Sequence, residues 1–188
     1  LDEVLQDRIF YKNSGGGVTL SGGEPLLQPQ FSLALLKACK EEGLHTAIET
    51  AGYAHWKQME SVLEFVDLVM FDIKHLDSEL HRKTTGVENA RILENLRKTA
   101  KGSRLWLRVP LLAGFNDSES HIQQVARLGM EIGAEKISLL PYHDGGKSKS
   151  EQLGIGYTCP QGRTPREKHL NKLRQVIEQT GLAVSLGN

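Results

Sequence analysis

The sequence has no surplus of charge: 23 basic and 23 acidic side chains cancel. A protein that holds nucleic acid by its phosphates needs a basic footprint, so that class is excluded. Long apolar runs are missing too. No stretch approaches the roughly 20 apolar residues of a membrane span. The first residues carry no signal-peptide pattern. A soluble, cytoplasmic protein is expected, with no nucleic-acid or membrane partner. Cysteine is scarce, with only Cys39 and Cys159. Their separation gives neither a disulfide framework nor a metal-ligand spacing. Cys39 follows Leu35 at helical spacing and reads as a small buried hydrophobe. Cys159 lies in the polar run Tyr157-Thr158-Cys159-Pro160 and reads as an exposed thiol.

What is present is alternation. Short β-branched runs take turns with helical patterns, which indicates α/β architecture with parallel βα units. Strands are expected over 17–20, 45–49, 68–73, 104–109, 136–140 and 183–186. Helices are expected over 2–11, 30–42, 56–64, 89–99, 119–132 and 165–180. Gly43, Gly102 and Gly133 stand where helices should stop. Pro165 suits the first turn of the last helix, with Thr164 as its N-cap. Residues 144–161, rich in Gly, Ser and Lys, read as a surface loop. The 188 residues are enough for one domain with a sizeable core, so 1–188 is read as a single domain.

Polar residues gather at the expected strand ends. Ser21-Gly22-Gly23-Glu24-Pro25 follows the first strand. Two glycines there remove the Cβ atoms that would keep a ligand from the backbone, and Glu24 adds an anionic acceptor. Along 68–74, alternation puts Met70, Asp72 and Lys74 on one face and Val69, Phe71 and Ile73 on the other. Charges at an inner strand end need partners or a ligand. Asp72 and Lys74 therefore either pair with each other or receive a zwitterion. Arg104, Trp106 and Arg108 share a face of the next strand, and Arg108 is placed to bind a carboxylate. Glu49-Thr50 ends the second strand, and His143 follows the fifth. The polar run 74–86 reads as a solvated helix and turn, or as a partner contact.

Taken together, these segments resemble a known family. The runs around Ser21–Pro25, Glu49-Thr50-Ala51-Gly52, Phe71-Asp72-Ile73-Lys74, Leu107-Arg108-Val109-Pro110 and Leu139-Leu140-Pro141-Tyr142-His143 are similar, in order and spacing, to the radical S-adenosylmethionine (SAM) enzymes that activate glycyl radical enzymes, the pyruvate formate-lyase activating enzyme family. The resemblance implies a partial TIM-like barrel of parallel βα units, (β/α)6 in the whole enzyme. It implies SAM and a [4Fe–4S] cluster as cofactors. It also implies a 5′-deoxyadenosyl radical that installs a glycyl radical on a pyruvate formate-lyase-like partner, with flavodoxin or ferredoxin as electron donor. By the same resemblance, Ser21, Gly22, Gly23 and Glu24 take the SAM amine. Lys74 and Arg108 take its carboxylate. Glu49, Thr50, Asp72 and His143 lie about the sugar and base. Thr50, Met70 and Asp72 form a candidate monovalent-cation site.

The sequence also departs from the family. The CxxxCxxC motif that carries the cluster is not in these residues. The chain is therefore expected to be a portion of a longer enzyme, lacking the first βα unit, inactive alone, and with a free strand edge that favours association. Two other readings stand beside this one. One is a barrel lyase or aldolase with Lys74 as a Schiff-base amine. The other is a non-catalytic binding fragment.

Overall fold

The computed structural model describes residues 1–142, 154 and 163–187. Six strands form one sheet: β1 (Gly17–Leu20), β2 (His45–Thr50), β3 (Leu68–Asp72), β4 (Leu105–Leu111), β5 (Lys136–Pro141) and β6 (Ala183–Leu186). They run in the order β1-β2-β3-β4-β5-β6, and every neighbouring pair is parallel. Parallel neighbours cannot be joined by tight hairpins, so helices make the crossovers. Among the described residues α1 (Asp2–Gln6) and α2 (Arg8–Ser14) precede β1, and the crossovers carry α3 (Pro29–Glu41), α4 (Trp56–Leu63), α5 (Ser78–Thr85), α6 (Ala90–Thr99), α7 (Glu119–Glu131) and α8 (Glu167–Glu178). The expected α/β architecture is therefore the observed one.

Register fixes which residues share a face. One row runs Glu49, Met70, Trp106, Lys136 and Ala183 across β2 to β6. A second runs Asp72, Arg108, Ser138 and Ser185. The intervening rows carry Val69, Phe71, Leu105, Leu107, Val109, Ile137 and Leu139, all fully buried or nearly so. That apolar face packs against Leu36, Met59, Leu96, Ile122, Val125 and Leu173 from the helices. Burying a side chain such as Phe71 contributes about 1.5–3 kcal/mol. Parallel sheets usually have both faces covered. Here, among the described residues, the helices cover one face, and most residues of the two rows on the other are partly exposed, Ser138 being buried. The expected division of 68–74 into Met70 and Asp72 on one side and Val69, Phe71 and Ile73 on the other is borne out.

Several boundaries differ from expectation, each for a local reason. The first helix breaks at Asp7, whose φ of −89° and ψ of 6° leave the helical region. Gly43 and Gly133 do end helices in the left-handed region, with φ of 71° and 70°, but Gly102 is not in that region. The last helix begins at Glu167 with Arg166 as its cap residue, so Pro165 lies outside the first turn. Thr164 spends its hydroxyl on the Tyr142 carbonyl instead of capping. β4 continues through Pro110 to Leu111, two residues past its expected end. Segment 74–86 does contain a helix, α5, capped by Asp77 accepting from the Leu80 N–H at 2.9 Å and closed by Gly86 at φ 83°. The expected loop at 144–161 falls outside the described residues, Gly154 apart. No described helix is long and apolar enough to cross a membrane.

Candidate functional site

The loop after β1 is built for close approach. Gly22 has φ 124°, a conformation that glycine adopts without strain. A Cβ at Gly22 or Gly23 would meet nothing within 4 Å, so this stretch of backbone faces open space. Glu24 has a different part from the expected one. Its Oε1 accepts from the Thr50 hydroxyl at 2.7 Å and from the Leu26 N–H at 3.2 Å. Its Oε2 accepts from the Ala51 N–H at 2.8 Å. Three protein donors occupy the carboxylate. Glu24 is thus a staple joining the glycine loop to the loop after β2, rather than a free acceptor for an amine.

Beside that loop, four charges and a hydroxyl form a ladder across β1 to β4. Ser21 Oγ donates to Glu49 Oε2 at 2.6 Å. Glu49 Oε1 is ion-paired with Arg108 Nη1. Arg108 Nε lies 3.4 Å from Asp72 Oδ1, and Asp72 Oδ2 accepts from Lys74 Nζ at 2.7 Å. Burial by itself would raise the Glu49 carboxyl. The hydrogen bonds from Arg108 and Ser21, with the charges of Arg108 and Lys74, outweigh it and hold the group below its ordinary value. Arg108, whose side chain is 12% exposed, is enclosed between two carboxylates, whereas Lys74 at 33% is the most open of the four charges. The cation free to turn toward a ligand carboxylate is therefore Lys74, with Arg108 as the buttress behind it.

At the expected cation site, the Thr50 hydroxyl donates to Glu24 and accepts from the Gly52 N–H at 2.9 Å. Asp72 stands between two cationic side chains. No cluster of three or more His, Cys, Asp or Glu residues suited to a metal occurs among the described residues.

Three asparagines that sequence reasoning passed over tie down the strand-end loops. Asn95, on α6, donates from Nδ2 to the Gly52 and Ala54 carbonyls at 2.8 and 3.0 Å. Asn89 donates to the His75 and Leu76 carbonyls at 3.0 and 2.7 Å. Asn116 donates to the Lys74 and Pro110 carbonyls, both at 2.8 Å, and its Oδ1 accepts from the Leu112 N–H at 2.8 Å. All three are buried. The signal was faint, because Asn116 after a strand reads as turn chemistry, Asn89 before a helix as a cap, and Asn95 as one more polar residue of a helix. Just beyond Lys74, the buried His75 ring stacks on His121 with centroids 4.3 Å apart and planes at 21°. Burial, reinforced by His75, pushes the His121 imidazole down to about 4, so it is neutral at pH 7.

Of the expected site residues, Ser21, Gly22, Gly23, Glu24, Glu49, Thr50, Asp72, Lys74 and Arg108 converge on one rim at the C-terminal ends of β1 to β4. His143 lies outside the described residues, as does Cys159. Arg104, at the opposite end of β4, is paired with Glu135 at 2.8 Å and is not part of the rim. Cys39 is fully buried, as expected.

Comparison with known proteins gives the same picture. The Radical SAM superfamily profile matches residues 1–126. The chain is 51% identical over 156 residues to the isethionate sulfite-lyase activating enzyme of Oleidesulfovibrio alaskensis, covering 79% of this chain and 50% of that protein. It is 36% identical over 185 residues to the pyruvate formate-lyase 1-activating enzyme of Escherichia coli, covering 96% of this chain and 75% of that one. Among solved structures, a domain of the pyruvate-formate lyase-activating enzyme from Bacteroides vulgatus superposes with a TM-score of 0.77 at 32% identity. That match covers 92% of this chain and 99% of the domain. The chain spans 50% to 61% of the length of the first three curated relatives it matches.

Proposed function

The chain belongs to the Radical SAM superfamily and, within it, to the family of activating enzymes that includes the pyruvate formate-lyase 1-activating enzyme; from that premise we propose that it is the SAM-binding domain of a longer enzyme that activates a glycyl radical enzyme. The observation that carries this reading is the rim. An open glycine loop stands beside a charge-balanced ladder of Lys74, Asp72, Arg108 and Glu49 at the C-terminal strand ends. Ligands of barrel-type α/β folds bind at those ends.

In this reading the bare backbone of Ser21, Gly22 and Gly23 takes the SAM amine. Lys74 turns from Asp72 to the carboxylate. Asp72 and Glu49 are left for the amine and the ribose hydroxyls. Glu24 and Thr50 hold the two loops at a fixed separation, so the ligand meets a preformed site. Bound SAM, reductively cleaved, supplies the radical that takes a hydrogen atom from a glycine of the partner. The residues of this chain bind and orient the ligand and limit water around it.

A [4Fe–4S] cluster needs several thiolates. The two cysteines of this chain do not fit it, since Cys39 is sealed in the core. We place the cluster's ligands outside these residues, and we expect these residues alone to be inactive. The proposed partner is a pyruvate formate-lyase-like glycyl radical enzyme, the proposed electron donor a flavodoxin or ferredoxin, and the proposed location the cytoplasm. The aldolase reading has less support. Lys74 is ion-paired with Asp72, whereas Schiff-base lysines sit in apolar pockets or beside another cation.

The test is electron paramagnetic resonance of the whole protein, reconstituted with iron and sulfide without oxygen and then reduced. A [4Fe–4S]⁺ signal that changes on adding SAM is expected. A cluster signal indifferent to SAM, or no cluster, contradicts the reading.

A further inference from the structure

The backbone ladder between β3 and β4 stops where the rim begins. Its last bond there runs from the Ile73 N–H to the Arg108 carbonyl at 2.8 Å. In a parallel pair, the next donor from β4 is two residues on, and that residue is Pro110, which has no N–H. Lys74 would therefore sit on an unsecured strand end.

Asn116 occupies the gap. Its amide bridges the Lys74 carbonyl on β3 and the Pro110 carbonyl on β4, and its Oδ1 receives the Leu112 N–H. Asn116 is 0% exposed, so no water substitutes for these bonds from the surface. Without it, two carbonyls and one N–H would be left unpaired in the interior. Both ends it joins carry charges of the rim: Lys74 itself, and Arg108 two residues before Pro110. We propose that Asn116 is a positioning residue for Lys74. It ties β3 to β4 just beyond the ladder bond that Pro110 cannot give to the Ile73 carbonyl, and so fixes the ammonium at the distance where it meets the carboxylate of SAM. This role rests on the SAM-binding reading above.

The experiment measures the SAM dissociation constant of the whole protein and of Lys74→Ala, Asn116→Ala and the double variant, by equilibrium dialysis. Each single change should weaken binding about tenfold. If Asn116 acts through Lys74, the double variant binds within about twofold of Lys74→Ala. 5′-Methylthioadenosine, which has no carboxylate, should bind wild type and Asn116→Ala alike. Losses that multiply in the double variant, or an equal loss for methylthioadenosine, overturn the positioning role and leave the site reading standing. Full SAM affinity in Lys74→Ala overturns the site reading and the role of Asn116 with it. Should Asn116→Ala fail to fold, Asn116→Ser takes its place. Its neutral hydroxyl has one donor hydrogen and cannot bridge both carbonyls, so the same non-multiplicative pattern is expected.

Discussion

A Cβ at Gly23 would meet nothing within 4 Å, whereas one at Gly52 would lie 2.1 Å from Cζ of Phe71. Gly52 also has φ 71°, which side chains rarely adopt. The two glycines therefore serve different ends. Gly23 keeps space open for a ligand; Gly52 lets the loop after β2 close over the core. Gly23→Val should leave the melting temperature unchanged and abolish most SAM binding, measured by thermal unfolding and equilibrium dialysis on one preparation. A variant that binds normally would make the loop only a turn. Gly52→Ala should cost about 2–4 kcal/mol of stability, from overpacking and left-handed strain together. An unchanged urea midpoint would contradict that account. At this scale the sequence was only partly legible. The open glycines were readable from residue type, because the property is local. The part played by Glu24 was not, because its Thr50 partner lies 26 residues away. Asn116 was missed for the same reason, with Lys74 42 residues distant.

Strands β3 and β4 carry three of the four charges of the ladder, and their two-residue alternation made them the most legible elements. The buried set of Val69, Phe71, Leu105, Leu107 and Val109 is what period two requires of a sheet covered on one face. Helix ends were less legible, since Thr164 found a better partner in the Tyr142 carbonyl than in its own helix. The packing of the loop after β3 on α7 has a pH consequence. His121, on α7, is neutral in the folded protein, stacked on His75 and, among the described residues, without a hydrogen-bond partner for Nε2. Its folded value is depressed to about 4 from an ordinary 6.5. As pH falls through that window, the unfolded chain takes a proton that the buried ring refuses, so stability is lost. His121→Phe removes this group while keeping an aromatic ring against His75. Between about pH 7 and about pH 5, the variant should lose less unfolding free energy than wild type, the remaining groups being common to both. Equal losses in urea titrations at the two pH values would show that His121 is not held neutral.

At the largest scale, the described residues form a six-stranded parallel sheet with one face sealed by helices and the other carrying the charged and polar residues of the rim. β1 and β6 each pair on one side only among the described residues. The sequential strand order puts the ends of β1 to β4 side by side, so residues as distant in sequence as Ser21 and Arg108 meet Glu49 together. The βα alternation foretold this architecture, and the architecture then assembled a rim that no single motif specifies. A hollow of about 680 Å³, apart from the rim, lies at the other end of the sheet between Leu5, Arg8, Tyr11, Glu42 and His45. It gives the account a built-in contrast. The deciding measurement is hydrogen–deuterium exchange of the whole protein with and without SAM. The account predicts slowed exchange in peptides over 21–27, 50–54 and 72–77, and no change over 5–12 or 42–45. Protection confined to that hollow, or none in the three rim segments, would contradict the claim that this rim is where SAM binds.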